Sequence, residues 1–285
     1  MTSFRSVSHD ASGSPATANS QRQWRFGYGG GGSSSIHPLA YLLENGGSIF
    51  DGTLSTFYTA QDKATPCATP DVDPVGCIVV PNGADFFQDS SPSKPVYVVN
   101  NGIPGFRAGD ISGVDRHMKT PVIYGRTASP AGFTVATVRK YVSGTNMRHA
   151  GPPTTEPNHV VLFADSTNLY WYDTGNMPQL ASATTLTVAL EIYTVIPTGD
   201  DAGVYLYRYS LDGLVNDASG KLVSMNLNER PVDLGTSDWC FGGNLFNTAA
   251  AVQEIYFDLV ANQPATAADV ANIRSYAMSA FGALA

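Results

Sequence analysis

From residue 48 onward, the chain alternates short apolar segments with clusters of turn-forming residues. Each segment is rich in Val, Ile, Tyr, Phe or Thr, and Gly, Asn, Asp and Ser fill most of the gaps between them, a combination that is typical of β-strands joined by turns. The clearest segments are residues 94–99, 132–142, 159–164, 168–173, 184–196, 203–211, 221–227 and 252–260. About eight such strands without helical patterns between them predict a sandwich or jelly roll.

The last of these segments, "VQEIYFDLV", has the most regular alternation. Strict alternation places every second side chain on the same face of a strand. The pattern predicts an apolar face made of Ile255, Phe257 and Leu259. It predicts a polar face made of Glu254, Tyr256 and Asp258.

An amphipathic helix is predicted behind this strand, over residues 266–281. Thr266 is a favourable N-cap, and Asp269 three residues later completes a capping-box pattern that also suits the helix dipole. One stripe is apolar, and Gly282 follows the last turn. The stripe consists of Val270, Ile273, Ala277 and Phe281.

The first 47 residues differ from the rest. As far as Ser35 they are rich in Ser, Gly, Ala and Gln, which cannot bury a core, and a short helix is predicted before Gly46 and Gly47. Within "QWRFGYG", Trp24, Arg25, Phe26 and Tyr28 form a candidate anchoring segment, because the three rings share a face of an extended chain. We expect this arm to lie along a partner or add a strand to it. The alternative is a disordered tail with incidental aromatic residues.

Composition supports the β assignment and excludes some classes of partner. Charged residues make up 14% of the chain, and 28 Gly and 18 Pro provide turns. A formal net charge of −8 argues against nucleic-acid binding, which requires clustered Lys and Arg. No run of about 18 apolar residues predicts a membrane span, and the N-terminus has no apolar region of the secretory type.

Several blocks of the sequence resemble the laminin-G-like, concanavalin A-like jelly roll of bacteriophage virion proteins. Residues 47–76 resemble its opening, 93–115 its second block, 132–142 its first long inner strand, and 241–282 its closing strand and helix. The resemblance implies an all-β, concanavalin-like jelly-roll sandwich with a short C-terminal helix, over residues 48–285, preceded by an extended N-terminal arm of residues 1–47. The Pro-rich segment between Val142 and His159 departs from the pattern as a long insertion.

Catalytic and metal-binding patterns are sparse. Glu254 and Asp258 share a predicted strand face, but four strand steps separate them by about 13 Å, too far for a catalytic carboxylate pair. We therefore predict that the protein is not an enzyme and has no catalytic residues or cofactor. Calcium remains an alternative at Asp200, Asp201 and Asp212. Cys67 and Cys77 could close one disulfide loop.

Aromatic residues give the strongest indication of a ligand. Tyr205, Tyr207 and Tyr209 share one face of a predicted strand, and Tyr170 and Trp171 lie in an earlier strand. Lectin-type sites combine an aromatic platform with a few polar side chains, so we predict these five residues as glycan-binding. Core packing or an oligomer interface is the alternative, because tyrosines bury well when the hydroxyl has a partner.

The resemblance, together with the N-terminal arm, implies a phage virion structural protein, a surface decoration or fibre component with weak glycan binding. Its arm would bind other virion proteins of the capsid or tail. Homo-oligomers, assembly in the host cytoplasm and a place on the virion surface are expected, without nucleic-acid or membrane contact. The alternatives are a receptor-binding lectin of a tail fibre and a polysaccharide-degrading glycoside hydrolase.

Overall fold

The chain folds into antiparallel sheets with one face covered by a C-terminal helix, which confirms the prediction of an all-β, concanavalin-like sandwich. This computed structural model describes residues 36–120, 132–143, 147–150, 160–164, 168–173, 179–182, 188–196, 199–213, 216–218, 221–224, 239–242 and 251–285. The arm residues 1–35 lie outside these ranges.

The strands, in chain order, are β1 (Gly47–Asp51), β2 (Thr56–Tyr58), β3 (Cys77–Val79), β4 (Asn82–Gly83), β5 (Phe86–Phe87), β6 (Val96–Asn100), β7 (Ile103–Ile111), β8 (Val114–Arg116), β9 (Met118–Thr120), β10 (Phe133–Ser143), β11 (Met147–Ala150), β12 (Val160–Ala164), β13 (Asn168–Asp173), β14 (Gln179–Ser182), β15 (Val188–Ile196), β16 (Gly203–Ser210), β17 (Asn216–Ala218), β18 (Lys221–Ser224), β19 (Trp239–Phe241) and β20 (Val252–Ala261). The helix α1 spans Ala267–Phe281, and 3-10 turns span Ala40–Leu43, Ser91–Ser93 and Gly282–Leu284.

The described strands form three sheets. The main sheet has eleven strands. Seven of them follow the order β17-β16-β15-β10-β20-β1-β4. The other four lie beside this path: β18 pairs with β16, β7 pairs with β20, and β6 and β8 pair with β7. The small sheet has the order β19-β9-β5-β3-β2, and β11-β12-β13-β14 form a separate four-stranded sheet. In the main sheet β10 lies between β15 and β20, so that Thr137 is paired with Glu191 on one side and with Asp258 on the other.

The small sheet packs on one face of the main sheet, which we call the inner face. Phe57, Ile78 and Phe86 of the small sheet join a buried cluster with Phe50 and Val135 of the main sheet. The Phe50 ring lies 5.7 Å from that of Phe57 and 5.8 Å from that of Phe86, between centroids. These contacts make the two sheets a sandwich, because apolar side chains from both fill the space between them.

Helix α1 covers the opposite, outer face of the main sheet. The predicted stripe is buried and packs with Leu190, Leu259 and other side chains of the sheet. The capping box is present: Thr266 Oγ1 accepts from Asp269 N at 3.2 Å, and Asp269 Oδ2 accepts from Thr266 N at 2.8 Å. The helix prediction is therefore confirmed in its position, cap and buried face.

A β-bulge in β20 corrects the predicted alternation of its side chains. Val138 of β10 pairs with Phe257 and the next residue, Arg139, pairs with Ile255, so one residue of β20 is extra. An extra residue exchanges the two faces of a strand beyond it. Ile255 therefore packs on the inner face, whereas Phe257 and Leu259 pack under α1. The prediction that these three share a face is wrong for this reason.

The segment before β1 packs against the outer face. Leu39 and Leu42 are buried in the cluster under α1, although the sequence assigns residues 36–47 to the arm. Gly47 adopts φ +142°, and a Cβ there would lie 2.1 Å from the carbonyl oxygen of Val260. Only glycine fits this approach of β1 to β20, because a side chain would overlap the neighbouring backbone.

Asp51, the last residue of β1, joins three parts of the outer face. Its Oδ2 accepts from His37 Nε2 at 3.2 Å and from the Tyr276 hydroxyl of α1, and its Oδ1 accepts from Thr53 N at 2.7 Å. His37 Nδ1 accepts from Leu39 N at 3.0 Å, which places the ring proton on Nε2. The carboxylate thus fixes the entering chain and the closing helix to the same strand.

Candidate functional site

A groove on the outer face lies between β16 and α1, and we call it the tyrosine groove. Its volume is about 470 Å³, within the range of about 300–1,000 Å³ usual for small-ligand sites. The lining side chains of α1 recur with helical spacing on a stripe beside the buried one. The lining residues are Tyr207, Tyr209, Ala267, Val270, Ala271, Arg274, Ser275 and Met278.

Two aromatic rings and one cation define the chemistry of the tyrosine groove. The guanidinium carbon of Arg274 lies 4.3 Å from the centroid of the Tyr209 ring, a cation–π contact. Burial raises the pKa of both Tyr207 and Tyr209, and the positive charge of Arg274 partly offsets the rise at Tyr209. Both hydroxyls therefore remain protonated near neutral pH and can donate hydrogen bonds to a ligand.

The predicted tyrosine face is present, but only two of its three residues reach the groove. Tyr207 pairs with Ile192 and Tyr209 with Leu190, and both rings pack on the α1 side of the sheet. Tyr205 lies one step further along the same face, where its hydroxyl donates to the carbonyl of Asp201 at 2.8 Å. It is not among the lining residues, so the groove is narrower than the predicted platform.

The other predicted binding residues lie elsewhere. Tyr170 and Trp171 belong to β13 of the four-stranded sheet, not to the sheet that carries the tyrosine groove. The predicted anchoring residues Trp24, Arg25, Phe26 and Tyr28 lie outside the described residues.

The inner face of the main sheet carries a buried charged cluster beside its apolar core. Glu191 accepts from Arg139, whose Nη2 lies 2.6 Å from Oε1 and whose Nε lies 3.2 Å from Oε2. Arg208 Nε lies 3.0 Å from the same Oε1, and the Tyr193 hydroxyl donates to Oε2 at 3.1 Å. All four residues are at most 1% exposed. Two guanidinium groups hold this carboxylate in its ionised form, because they supply both opposite charge and hydrogen bonds.

Asp258 lies in the same lateral row of the inner face. Its pairing with Thr137, which also pairs with Glu191, leaves Glu191 and Asp258 two strands apart, about 9.5 Å between Cα atoms. Among the described residues, no hydrogen-bond partner lies within 3.5 Å of either Asp258 oxygen. Burial raises the pKa of Asp258 well above its ordinary value, and the neighbouring Thr137 hydroxyl only partly opposes this. The row therefore holds one carboxyl group beside two guanidinium groups and one whose surroundings favour the protonated form.

Glu254 and Asp258, the pair considered in the sequence, lie on opposite faces because of the bulge in β20. Glu254 has an ion-pair partner, since Arg107 Nη2 contacts its Oε1 at 2.6 Å. The Tyr256 hydroxyl donates to its Oε2 at 2.6 Å. These contacts give Glu254 a structural role, fixing β7 to β20.

Metal and disulfide chemistry were open alternatives in the sequence. In the described part of the chain, no three His, Cys, Asp or Glu side chains come together as a metal site. Asp212, one of the calcium candidates, accepts from the Ser210 hydroxyl. Cys67 and Cys77 are free thiols, and burial raises their pKa to about 12 and about 11. Over the same ranges, no helix has the length and apolar character needed to cross a membrane.

Comparisons with known proteins identify only the fold. No protein-family model and no curated protein matches the chain. A GH54 α-L-arabinofuranosidase soaked with a cyclic sulfate inhibitor has a TM-score of 0.57 and 9% identity, covering 85% of this chain and 65% of the enzyme. A Trypanosoma rangeli sialidase in complex with DANA has a TM-score of 0.44 and 13% identity, covering 73% of this chain and 31% of the sialidase. The binding domain of Paraclostridial Mosquitocidal Protein 1 has a TM-score of 0.49 and 10% identity, and the match covers 80% of this chain and 52% of the binding-domain chain.

The likeness to the arabinofuranosidase corrects the prediction that the protein is not an enzyme. That prediction rested on the spacing of Glu254 and Asp258, measured along one strand. A glycoside hydrolase shares this fold over 85% of the chain, so the fold gives no ground for excluding catalysis. The pairing of strands also places Glu191 and Asp258, which are 67 residues apart in the sequence, in one row of the same face on either side of β10.

Proposed function

We propose that this protein binds saccharides in the tyrosine groove. The observation that carries the proposal is the concave surface of about 470 Å³ in which Tyr207 and Tyr209 lie beside the Arg274 guanidinium. Aromatic rings pack on the apolar faces of sugar rings, while hydroxyl and guanidinium donors bind sugar oxygens. The groove is open to solvent, whereas the charged cluster is buried, so binding is the function that the geometry supports best.

The test compares two tyrosines of one strand. Tyr207→Ala removes a wall of the groove, and we expect about a tenfold loss of affinity for the oligosaccharides that the wild type binds on a glycan array, since one aromatic contact is worth about 1 kcal/mol beyond its area. Tyr205→Ala is the matched control, because it lies on the same face outside the groove. Equal effects of both substitutions, with unchanged thermal unfolding, would refute the assignment of the groove.

Hydrolysis of glycosidic bonds is a second candidate function, supported by the two carboxyl groups of the inner face. A protonated carboxyl can act as general acid and an ionised one as general base or nucleophile. Glu191 and Asp258 lie on one face of the sheet, two strands apart, with about 9.5 Å between their Cα atoms. Both groups are buried, so substrate access requires the inner face to open.

Hydrolysis is tested with 4-nitrophenyl α-L-arabinofuranoside, the compound with which a mutant of the GH54 enzyme was soaked. A panel of polysaccharides is assayed in parallel for new reducing ends. Asp258→Asn should lower any activity at least a hundredfold, because it removes the general acid. Glu254→Gln, on the outer face, should retain it. Activity that survives Asp258→Asn, or no activity on any substrate, would reject this candidate.

We propose further that residues 1–47 anchor the protein to a virion, as a surface decoration or fibre component that forms homo-oligomers. The support is in the sequence: a Gly- and Ser-rich arm in which Trp24, Phe26 and Tyr28 alternate, joined to a β-sandwich domain. In this arrangement the arm binds capsid or tail proteins by backbone pairing and aromatic contacts.

A further inference from the structure

We infer that the tyrosine groove selects saccharides that carry a carboxylate, such as those containing uronic or sialic acids. This inference rests on the proposed binding function and concerns the chemical class of the ligand. Its basis is Arg274, the charged residue among the described residues that line the groove, whose guanidinium lies over the Tyr209 ring.

Within the described residues, the Arg274 guanidinium contacts the Tyr209 ring. In the described part of the chain it forms no hydrogen bond or ion pair, and its Nε is shielded from solvent without a partner. An unpaired, partly desolvated donor is costly, and a ligand oxygen that reaches the guanidinium recovers part of that cost. A carboxylate matches the fork of donors better than a neutral hydroxyl, since it can accept two parallel hydrogen bonds.

Arg274 is the charged side chain among the described residues that line the groove. Asp269, the acidic residue of α1, lies on another side of the helix, where it accepts from Tyr41 and Thr266. The remaining lining residues of α1 are Ala267, Val270, Ala271, Ser275 and Met278, none of them charged. Among the described lining residues, an anionic ligand therefore meets one positive charge and no carboxylate, even though the whole chain has a formal net charge of −8.

The remaining contacts suit a sugar ring rather than a small inorganic anion. Tyr207 and Met278 give the groove an apolar surface next to the charge, which a free phosphate or sulfate would leave uncovered. A ring that lies against Tyr207 could present its carboxylate to Arg274, because both side chains line the same groove. The pair of requirements, an apolar ring face and an acidic group, defines the acidic saccharide as the ligand class.

The experiment uses matched ligand pairs: oligogalacturonate, a glucuronate-containing oligosaccharide and sialyllactose, each against its carboxyl methyl ester. Binding to the full chain is measured by calorimetry at low salt. We expect at least one acid to bind about tenfold more tightly than its ester, and this preference to shrink in 0.5 M NaCl.

Substitutions separate the inference from the function on which it rests. Arg274→Gln should abolish the preference, so that acid and ester bind with equal affinity, whereas Tyr207→Ala should weaken the binding of both and keep the preference for the acid. Arg274→Lys, which keeps the charge without the fork, should retain part of the preference. Equal binding of acids and esters, or a preference that survives Arg274→Gln, would overturn this inference and leave the saccharide proposal standing. Failure of every ligand to bind would instead reject the proposed function.

Discussion

At the scale of single residues, the main sheet places two carboxyl groups of one row in opposite environments. Glu191 lies between Arg139 and Arg208, whereas Asp258 is buried and has no hydrogen-bond partner among the described residues. Burial disfavours a charge unless another group compensates for it, so the surroundings favour the ionised form at Glu191 and the protonated form at Asp258. These environments differ because the partner side chains come from different strands, which a single strand sequence does not reveal.

The raised pKa of Asp258 predicts a stability that falls with rising pH. The folded state keeps the proton at pH values where the unfolded state has lost it, so this group lowers the free energy of unfolding as pH rises from near 3.8 towards the folded pKa. Asp258→Asn removes the titration and should stabilise the protein at pH 7 by about 1 kcal/mol or more, measured by urea unfolding.

Glu191→Gln provides the contrast to this variant. It removes the carboxylate that Arg139 and Arg208 share and should cost about 3–5 kcal/mol, because two buried cations lose their counter-charge. For the Asp258 prediction, a loss of stability of Asp258→Asn at pH 7 would be the contradicting result, because it would show that the buried Asp258 carboxyl group is paired in the folded protein.

Asp51 predicts the opposite dependence on pH. Burial acts to raise its pKa, but hydrogen bonds from His37, Thr53 and Tyr276 outweigh it and lower the pKa. The stabilisation is therefore fully present above the unfolded value near 3.8 and is lost as pH falls through the folded pKa. Asp51→Ala should cost about 3 kcal/mol at pH 7 and less at pH 3, by urea unfolding. The exposed Asp89→Ala serves as control and should change stability by less than about 0.5 kcal/mol.

At the scale of elements, the predicted strands and the helix follow from local sequence patterns. Which side chains share a face of a strand does not always follow from them. Residues 203–210 alternate as predicted, and their tyrosines share one face. Residues 252–261 also form a strand, yet the bulge opposite Val138 and Arg139 reverses its faces. A bulge arises from the pairing of two strands, so the alternation within one strand does not reveal it.

The capping box of α1 is a local feature with a measurable effect. Thr266→Ala removes the oxygen that accepts from Asp269 N and leaves the first turn uncapped, which should cost about 1 kcal/mol in chemical unfolding. Ser279→Ala, an exposed change within the same helix, is the control and should leave stability equal or slightly higher. Because α1 forms one wall of the tyrosine groove, the Thr266→Ala variant should lose saccharide affinity only under conditions in which the helix begins to unfold. A loss of affinity under conditions in which the variant is fully folded would contradict this prediction.

At the scale of the whole molecule, the sandwich is closed by pairings between distant parts of the chain. β1 and β20 pair over five residues although about 200 residues separate them, and Asp51 binds both His37 and Tyr276. The body therefore begins before β1, at the segment that contains His37, Leu39 and Leu42. Truncations designed on the sequence boundary at residue 47 would remove these buried groups.

Deletion of residues 2–35 tests the proposed anchor without touching that segment. We expect the shortened protein to remain soluble and to unfold at the same temperature as the full chain, because the deleted residues are poor in core-forming side chains. Incorporation into particles should be lost. Normal incorporation of the shortened protein would refute the anchoring role of the arm, and a large fall in melting temperature would show that the arm is part of the folded body.

The sequence by itself determined eight of the strand segments, the capped helix with its buried stripe, and the shared face of Tyr205, Tyr207 and Tyr209. These features depend on periodicity and capping within about 20 residues of chain, where the physical causes are local. Only the tertiary structure decided that Tyr207 and Tyr209 meet Arg274, and that Glu191 and Asp258 lie in one row. Register, bulges and the packing of a helix on a sheet arise from contacts between distant segments, so no local pattern specifies them.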